Sequence, residues 1–225
     1  MSSIINIIHE GLCAVGKIDT DKIYEVLKRR IIELDYEPGE VLNEVDVANE
    51  FDISRTPIRK IFQQLSNDKL LNIIPRFGAQ VTPIDFKYMK SVFEVTRILD
   101  PYAARLATER ISDGNIRELE TILHRLESYD IVEDYQEAIN DDERFHNIIF
   151  LSSENPCLGD VLSSLHIHTE RLWHYSEQYI DSMAIFTDTL GKVLEAIKEK
   201  DMDMAEKYAR EHIDAFVEKI KQEML

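Results

Sequence analysis

The chain has 225 residues, 44% of them hydrophobic and 31% charged, with a formal net charge of −17, a globular composition that excludes a disordered polymer. No apolar run approaches the roughly 18 residues of a membrane span, and two cysteines, Cys13 and Cys157, make neither a disulfide framework nor a zinc knuckle. Seven glycines and six prolines against abundant Glu, Lys, Leu and Ile point to a mostly helical protein. Met1 to Ile18 lack the basic start and long apolar core of a signal peptide. Residues 1–18 are therefore read as an N-terminal extension, and a reducing cytoplasm is the expected location.

Residues 20–34 form the first predicted helix, with Ile23, Val26, Leu27, Ile31 and Leu34 at helical spacing. Glu37-Pro38-Gly39-Glu40 reads as a turn, since proline presets one torsion and glycine accepts a positive one. A short helix over about 44–51 turns Val47, Ala48 and Phe51 inward. A third runs from the N-cap Ser54 to about Leu71, with Pro57 in its first turn, where a missing N–H costs little. Asn72-Ile73-Ile74-Pro75 and Ala79-Gln80-Val81-Thr82 then read as a small hairpin around Arg76-Phe77-Gly78, closed by Pro83. Six helices are predicted beyond it, at about 85–110, 113–129, 133–152, 156–181, 184–200 and 202–223.

The net charge argues against a nucleic-acid partner until its distribution is followed. Residues 17–84 carry ten bases and twelve acids, whereas residues 85–225 carry sixteen and thirty. From Glu33 to Asp52 there are eight acids and no base, and from Ile53 to Pro83 five bases (Arg55, Arg59, Lys60, Lys69, Arg76) and one acid, Asp68. A local basic patch can bind a polyanion while the acidic remainder opposes non-specific binding. Three helices and a hairpin, with a Ser-capped third helix bearing early arginines, is the layout of a winged helix-turn-helix. Ser54, Arg55, Thr56 and Arg59 would present donors to base edges and phosphates, and Arg76 on the wing would reach the backbone or minor groove. From charge alone, an ordinary three-helix bundle with a solvated basic face is an equal alternative.

The run E-P-G-E-V-L-N-E-V-D-V-A-N-E-F-D-I-S-R-T-P-I-R-K-I-F-Q-Q-L, followed by L-L-N-I-I-P-R-F-G-A-Q-V, closely resembles the GntR family of bacterial transcription regulators over residues 20–84. The S-R-T-P-I-R core is specific to that pattern. By resemblance Arg55, Thr56, Arg59 and Gly78 match DNA-contact positions of the family, and with Ser54, Pro57 and Arg76 they make up the expected DNA-binding set. Three positions depart from it: Asp52 stands where glycine is usual, Val45 where an arginine often contacts DNA, and Lys69 where glycine commonly precedes the wing.

In the C-terminal helices the informative residues are polar ones on apolar faces. Asp142 and His146, one turn apart, share a face with Tyr135, Ala138, Ile139, Phe145, Ile149 and Phe150, and His212 shares one with Ala205, Tyr208, Ala209, Ile213 and Phe216. A carboxylate and two imidazoles in a helical core are costly unless paired or bound. They suit Zn²⁺, Ni²⁺ or Mn²⁺, and a hydrogen-bonded Asp–His pair without metal fits the spacing as well. V-F-E-V-T-R-I-L-D-P-Y-A-A-R-L-A, D-E-R-F-H-N-I-I-F and the closing L-E-A-I-K-E-K-D-M-D-M-A-E-K-Y-A-R-E-H-I look like the FadR-type ligand-binding (FCD) domain. Its metal-binding members join a D-x-x-x-H to two later histidines about 22 residues apart. Asp142, His146 and His212 match three of those positions, and the fourth falls at Leu190, which cannot bind a metal.

The helix I-H-I-H-T-E-R-L-W-H offers substitutes in His166, His168, Glu170 and His174. His168 and Arg171 are spaced to share a face and are expected, with Arg97, to bind the effector, while His166 is expected to be exposed. By resemblance Arg97 matches a position that often faces the cavity, where it would pair with an effector carboxylate, and an exposed or ion-paired arginine fits the residue equally.

The expected architecture is thus mainly α. Residues 19–84 make a winged helix-turn-helix with a small β-hairpin, and residues 85–225 an antiparallel six-helix bundle for effector binding and dimerisation. The expected function is a one-component regulator, more often a repressor in this family, binding operator DNA as a homodimer under a small carboxylate effector. A rival reading is a metal-dependent helix-bundle enzyme, since Glu143-Arg144-Phe145-His146 is an E-x-x-H, the element that di-iron bundles use twice. A third makes the metal itself the signal. No second E-x-x-H with bundle spacing, no G-x-S-x-G and no Gly-rich phosphate loop supports the enzyme.

Overall fold

The structure is a computed structural model and describes residues 19–224. The extension expected over residues 1–18 lies outside the described residues. The chain divides between Pro83 and Ile84 into two compact units.

The first unit contains α1 (Thr20–Ile32), β1 (Val41–Leu42), α2 (Glu44–Glu50), α3 (Arg55–Asn67), β2 (Leu71–Ile74) and β3 (Gly78–Val81). Asp19 caps α1 by accepting the Lys22 N–H, and Asn43 caps α2 by accepting that of Val45. Ile23, Leu27 and Ile31 of α1 are buried with Ile58, Ile61, Phe62 and Leu65 of α3, each side chain stabilising the unit by about 1.5–3 kcal/mol through burial. The strands form an antiparallel sheet in the order β1-β3-β2. The two-residue β1, which pairs Val41 with Gln80 and Leu42 with Ala79, is too short to leave an alternating pattern in the sequence.

Helix α3 stops at Asn67 rather than near Leu71. Lys69 takes a left-handed φ of 60°, its N–H bonding the Ser66 carbonyl and that of Leu70 the Leu65 carbonyl. Helix α2 closes in the same way through Asp52, at φ 52°, with Ile53 N–H on the Ala48 carbonyl. Both are Schellman closures, for which glycine is the usual residue. These are the two positions at which the chain departs from the glycines of the GntR pattern, and the backbone keeps the conformation glycine would give.

The second unit comprises α4 (Phe86–Arg110), α5 (Asp113–Ser128), α6 (Tyr135–Ser152), α7 (Pro156–Tyr175), α8 (Ala184–Lys198) and α9 (Met202–Met224), with a 3₁₀ turn at Glu177–Tyr179. Six helices were expected, but α7 ends at Tyr175 rather than near residue 181. The buried Ser176 hydroxyl donates to the Leu172 carbonyl at 2.6 Å, and its N–H closes on Leu172 and Trp173.

Helix α4 runs through Pro101. Proline brings no N–H to the carbonyl four residues back, and that carbonyl, on Arg97, instead accepts from Arg210 Nη1 of α9 at 2.6 Å. The contact fastens α4 to α9 beside Asp100 and His212, which face the pocket described below. The mainly helical architecture with its small antiparallel sheet is the one the sequence implies.

Candidate nucleic-acid interface and buried polar pocket

In the first unit Ser54, Arg55, Thr56 and Arg59 are all exposed at the start of α3, with Pro57 half-buried in its first turn. Ser54 occupies the N-cap position, yet its hydroxyl makes no capping bond. The early N–H groups and the Ser54 hydroxyl thus face outward at the positive end of the helix, an arrangement suited to phosphate. Glu44 of α2 accepts from Arg55 Nη2 at 3.2 Å and from Arg59 Nε and Nη2 at 3.0 and 2.9 Å. Hydrogen bonding from Arg59 lowers the Glu44 pKa against the opposing effect of burial, with Arg55 adding to it. Glu44 was not singled out in the sequence, although it stands at the glutamate of the P-G-x-x-L-x-E pattern.

On the wing, Pro75 and Arg76 are the central residues of a turn closed by Phe77 N–H on the Ile74 carbonyl, with Arg76 at φ 73°. Proline followed by a positive φ is the pattern of a type II turn, and it leaves Arg76 exposed at the tip. Gly78 requires a correction. It is buried, has a φ of 131°, and a Cβ there would lie 2.1 Å from the Leu42 carbonyl oxygen. Its part is to let β1 cross the start of β3, which leaves no surface for a DNA contact.

In the second unit, α4, α6, α7 and α9 converge on a pocket lined by Phe93, Thr96, Asp100, Asp142, Glu143, His146, His166, Thr169, Trp173, His212, Ile213 and Phe216. Asp142, His146 and His212 come together as expected. Asp142 lies 3.8 Å from His146 Nε2 and 3.5 Å from His212 Nε2, and the two Nε2 atoms are 3.3 Å apart. Donors about 2.0–2.1 Å from a tetrahedral ion stand roughly 3.3–3.4 Å from one another, so the spacing suits a transition-metal ion. Thr189 Oγ1 engages His212 Nδ1 at 2.8 Å, leaving Nε2 turned toward Asp142. Such an outer partner orients a metal-ligating histidine.

Asp142 is 1% exposed and neither of its oxygens has a hydrogen-bond partner. Buried polar atoms of this kind are rare and signal a ligand or a functional role. Burial, with Glu143 and Asp100 nearby, drives the Asp142 carboxyl well above its ordinary range. Burial also holds His146 well below the usual histidine value, and His212 is pushed down to about 4. Both imidazoles are therefore neutral near pH 7, the form that binds metal. Leu190 is buried and does not line the pocket; its neighbour Thr189 supports the site instead.

The expected effector residues fall elsewhere. Arg97 is half-exposed and ion-paired with Asp214, Nε to Oδ1 at 2.6 Å, so it does not face the cavity. Its neighbour Thr96 does. His168 and Arg171 are buried but outside the pocket lining. His168 packs edge-on against Tyr88, and burial pushes the Arg171 guanidinium down to about 10. His166, expected to be exposed, is buried and aimed inward, its Nε2 2.8 Å from Asp100 Oδ2 and its Nδ1 3.3 Å from Glu143 Oε2. Thr96 and Asp100 escaped the sequence reading. Their spacing from Val92 and Phe93 on the buried stripe of α4 was the signal that could have found them.

Residues 19–81 match the family described as bacterial regulatory proteins, gntR family, and residues 91–215 match the FCD domain. The chain belongs to the GntR family of regulators. It is 22% identical over 201 residues to the HTH-type transcriptional repressor RspR of Escherichia coli (strain K12), covering 89% of this chain and 88% of that protein. It is 26% identical over 227 residues to the galactonate operon transcriptional repressor of the same strain, covering 90% and 97%. The fold is that of E. coli McbR/YncC, with a TM-score of 0.79 at 21% identity over 90% of this chain and 97% of the other. This GntR-family chain is accordingly a DNA-binding transcription regulator, and the relatives are regulators rather than enzymes. The single E-x-x-H of Glu143 and His146 does not mark a catalyst. Among the described residues no helix is long and apolar enough to cross a membrane.

Proposed function

We propose that the chain is a FadR-subfamily repressor that binds operator DNA as a homodimer and answers a small carboxylate effector through a divalent metal ion, Zn²⁺, Ni²⁺ or Mn²⁺, held by Asp142, His146 and His212. The observation that carries this reading is the composition of the pocket: Asp100, Asp142 and Glu143 line it with no lysine or arginine among the lining residues. The one imidazole held charged there, His166, is already paired with Asp100 and Glu143, so a carboxylate entering that field finds no uncommitted positive charge unless a divalent cation intervenes. Such an ion supplies a Lewis-acidic anchor for the carboxylate. The chain holds the ligands, orients His212 through Thr189, and walls the pocket with Phe93, Trp173 and Phe216. The galactonate named for one relative is itself a carboxylate, which agrees with this class.

Two copies would set two α3 helices against two half-sites. An exposed apolar row on α4, Val95, Ile98 and Tyr102, is a surface that a second copy would cover.

A thermal-shift titration with and without chelator tests the effector reading. Carboxylates should raise the melting temperature only when Zn²⁺, Ni²⁺ or Mn²⁺ is present, by mass action on the folded state. Stabilisation by carboxylates in chelator overturns the metal route. A shift in operator affinity by metal alone, with carboxylates inert, makes the metal the signal. Sedimentation as a monomer at micromolar concentration overturns the homodimer.

A further inference from the structure

The polar pocket contains a second set of donors that the first does not use. Asp100, His146 and His166 bring one ligand atom each within 4.8 Å of one another, as Asp142, His146 and His212 do. The two sets share His146, whose ring centroid is 4.8 Å from that of His166 and 5.2 Å from that of His212. They also share a plan. His212 is held from behind by Thr189 at Nδ1 and turns Nε2 to Asp142, while His166 is held from behind by Glu143 at Nδ1 and turns Nε2 to Asp100. A carboxylate behind a histidine is the outer-shell arrangement that orients metal-binding imidazoles.

We propose that Asp100 and His166 form a second divalent-cation position beside the first, with His146 between them serving whichever ion binds more tightly. This rests on the metal reading for Asp142, His146 and His212 only in sharing His146.

A second observation bears on the same place. Asp100 is 4% exposed and its Oδ1 has no partner, and Thr96, 1% exposed on the same stripe of α4, has an unpartnered Oγ1. Both residues line the pocket. A purely structural Asp100–His166–Glu143 ion triple would be expected to satisfy these atoms. Three carboxylates crowd the pocket. One divalent ion on Asp142 leaves Asp100 and Glu143 sharing a single imidazole. A second ion on Asp100 relieves that repulsion and takes the place of the His166 Nε2 proton, which is released to solvent, so that the imidazole binds as a neutral ligand. With His146 committed to one position, the other has two protein ligands and completes its shell with water, so the two affinities should differ by at least tenfold.

The test is a calorimetric titration of chelator-stripped full-length protein with Zn²⁺ alone, with bound metal counted by elemental analysis. Wild type is expected to take two ions per chain in two steps. Asp100→Asn, close to isosteric, and His166→Gln should each leave one ion at the tighter step. The Asp142→Asn/His212→Gln variant should retain one ion, bound more tightly than the weak step of wild type because His146 is released to it. Circular dichroism and melting of each metal-free variant verify the fold, and Asp100→Asn alone suffices if His166→Gln does not fold.

Wild type that takes one ion, lost in Asp142→Asn/His212→Gln and indifferent to Asp100→Asn, overturns the second position and leaves the first intact. One ion with the reverse dependence supports the Asp100–His166 position and removes the first. No bound ion at all overturns both.

Discussion

Glu44, the first residue of α2, holds the Arg59 guanidinium of α3 through two hydrogen bonds of 3.0 and 2.9 Å. An acid beside the expected DNA face opposes phosphate, so by electrostatics alone its removal should tighten binding to any duplex. Its grip on Arg59 and Arg55 fixes two long side chains that would otherwise lose rotamer freedom on binding. Glu44→Gln is therefore expected to weaken operator binding about tenfold, roughly 1.4 kcal/mol, while random-sequence DNA is bound equally or more tightly. Arg59→Ala should cost about 1–3 kcal/mol on the operator. Fluorescence anisotropy against both duplexes separates the two effects, and a gain on both with Glu44→Gln would falsify the positioning role.

Gly78→Ala is expected to destabilise the first unit by about 3 kcal/mol or more, through a strained positive φ and a clash with backbone. The obstacle is the Leu42 carbonyl oxygen, 2.1 Å from the added carbon, which cannot swing aside as a side chain can. Lys69→Gly is the opposite case: its φ of 60° already suits glycine, and a gain of up to about 1 kcal/mol is expected. Urea unfolding of the two variants should move the midpoint in opposite directions.

Arg97→Ala should leave Zn²⁺ and carboxylate affinities unchanged, because its partner is Asp214 on the outside of α9. The pair is about half exposed, so the stability change should stay within about 1 kcal/mol. A large loss of carboxylate binding in this variant would return Arg97 to the pocket.

Acid stability follows from the histidines. His212 is pushed down to about 4 in the fold, against roughly 6.5 in an unfolded chain. Between those values the unfolded chain binds a proton that the fold refuses, so stability is lost as pH falls from about 6.5 toward 4. At 1.36 kcal/mol per unit the full effect is on the order of 3 kcal/mol. His166 has the opposite sign. Burial opposes its charge, but Asp100 and Glu143 outweigh burial and hold it well above the usual value, so its contribution is complete below about pH 6.5 and fades as pH rises through the folded value. Denaturant unfolding in chelator from pH 4 to 7 should show a steeper acid limb in wild type than in His212→Gln. Equal limbs would mean that His212 is not held neutral in the fold.

The periodic apolar positions made the helices and the two-unit organisation legible, and the Asp142, His146 and His212 triad was legible because all three stand on apolar faces. Boundaries failed where closure did not use the usual residue. Lys69 ends α3 in a left-handed turn that nothing in a lysine announces, and Ser176 ends α7 through its own side chain. Analogy of position points Arg97 to the cavity and leaves an ion-paired surface arginine as the equal alternative; the structure takes the second, since one residue is 100° on a helix and the inward position belongs to Thr96. His166 falls off the face shared by His168 and Arg171 and so reads as exposed, and only the approach of α4 and α6 supplies the Asp100 and Glu143 that bury it. A contact between residues 66 apart, as between Asp100 and His166, leaves no trace in local spacing.

Trp173 is the only tryptophan in the chain, and it forms one wall of the polar pocket, 3% exposed and stacked on Phe216 with ring centroids 3.6 Å apart. All tryptophan emission of the regulator therefore originates at the place where an ion or effector would settle. A cation arriving, a proton leaving His166, or a slight parting of Trp173 from Phe216 would each register in a single unlabelled spectrum. The fold carries its own optical gauge, set into the cavity whose contents most need to be read.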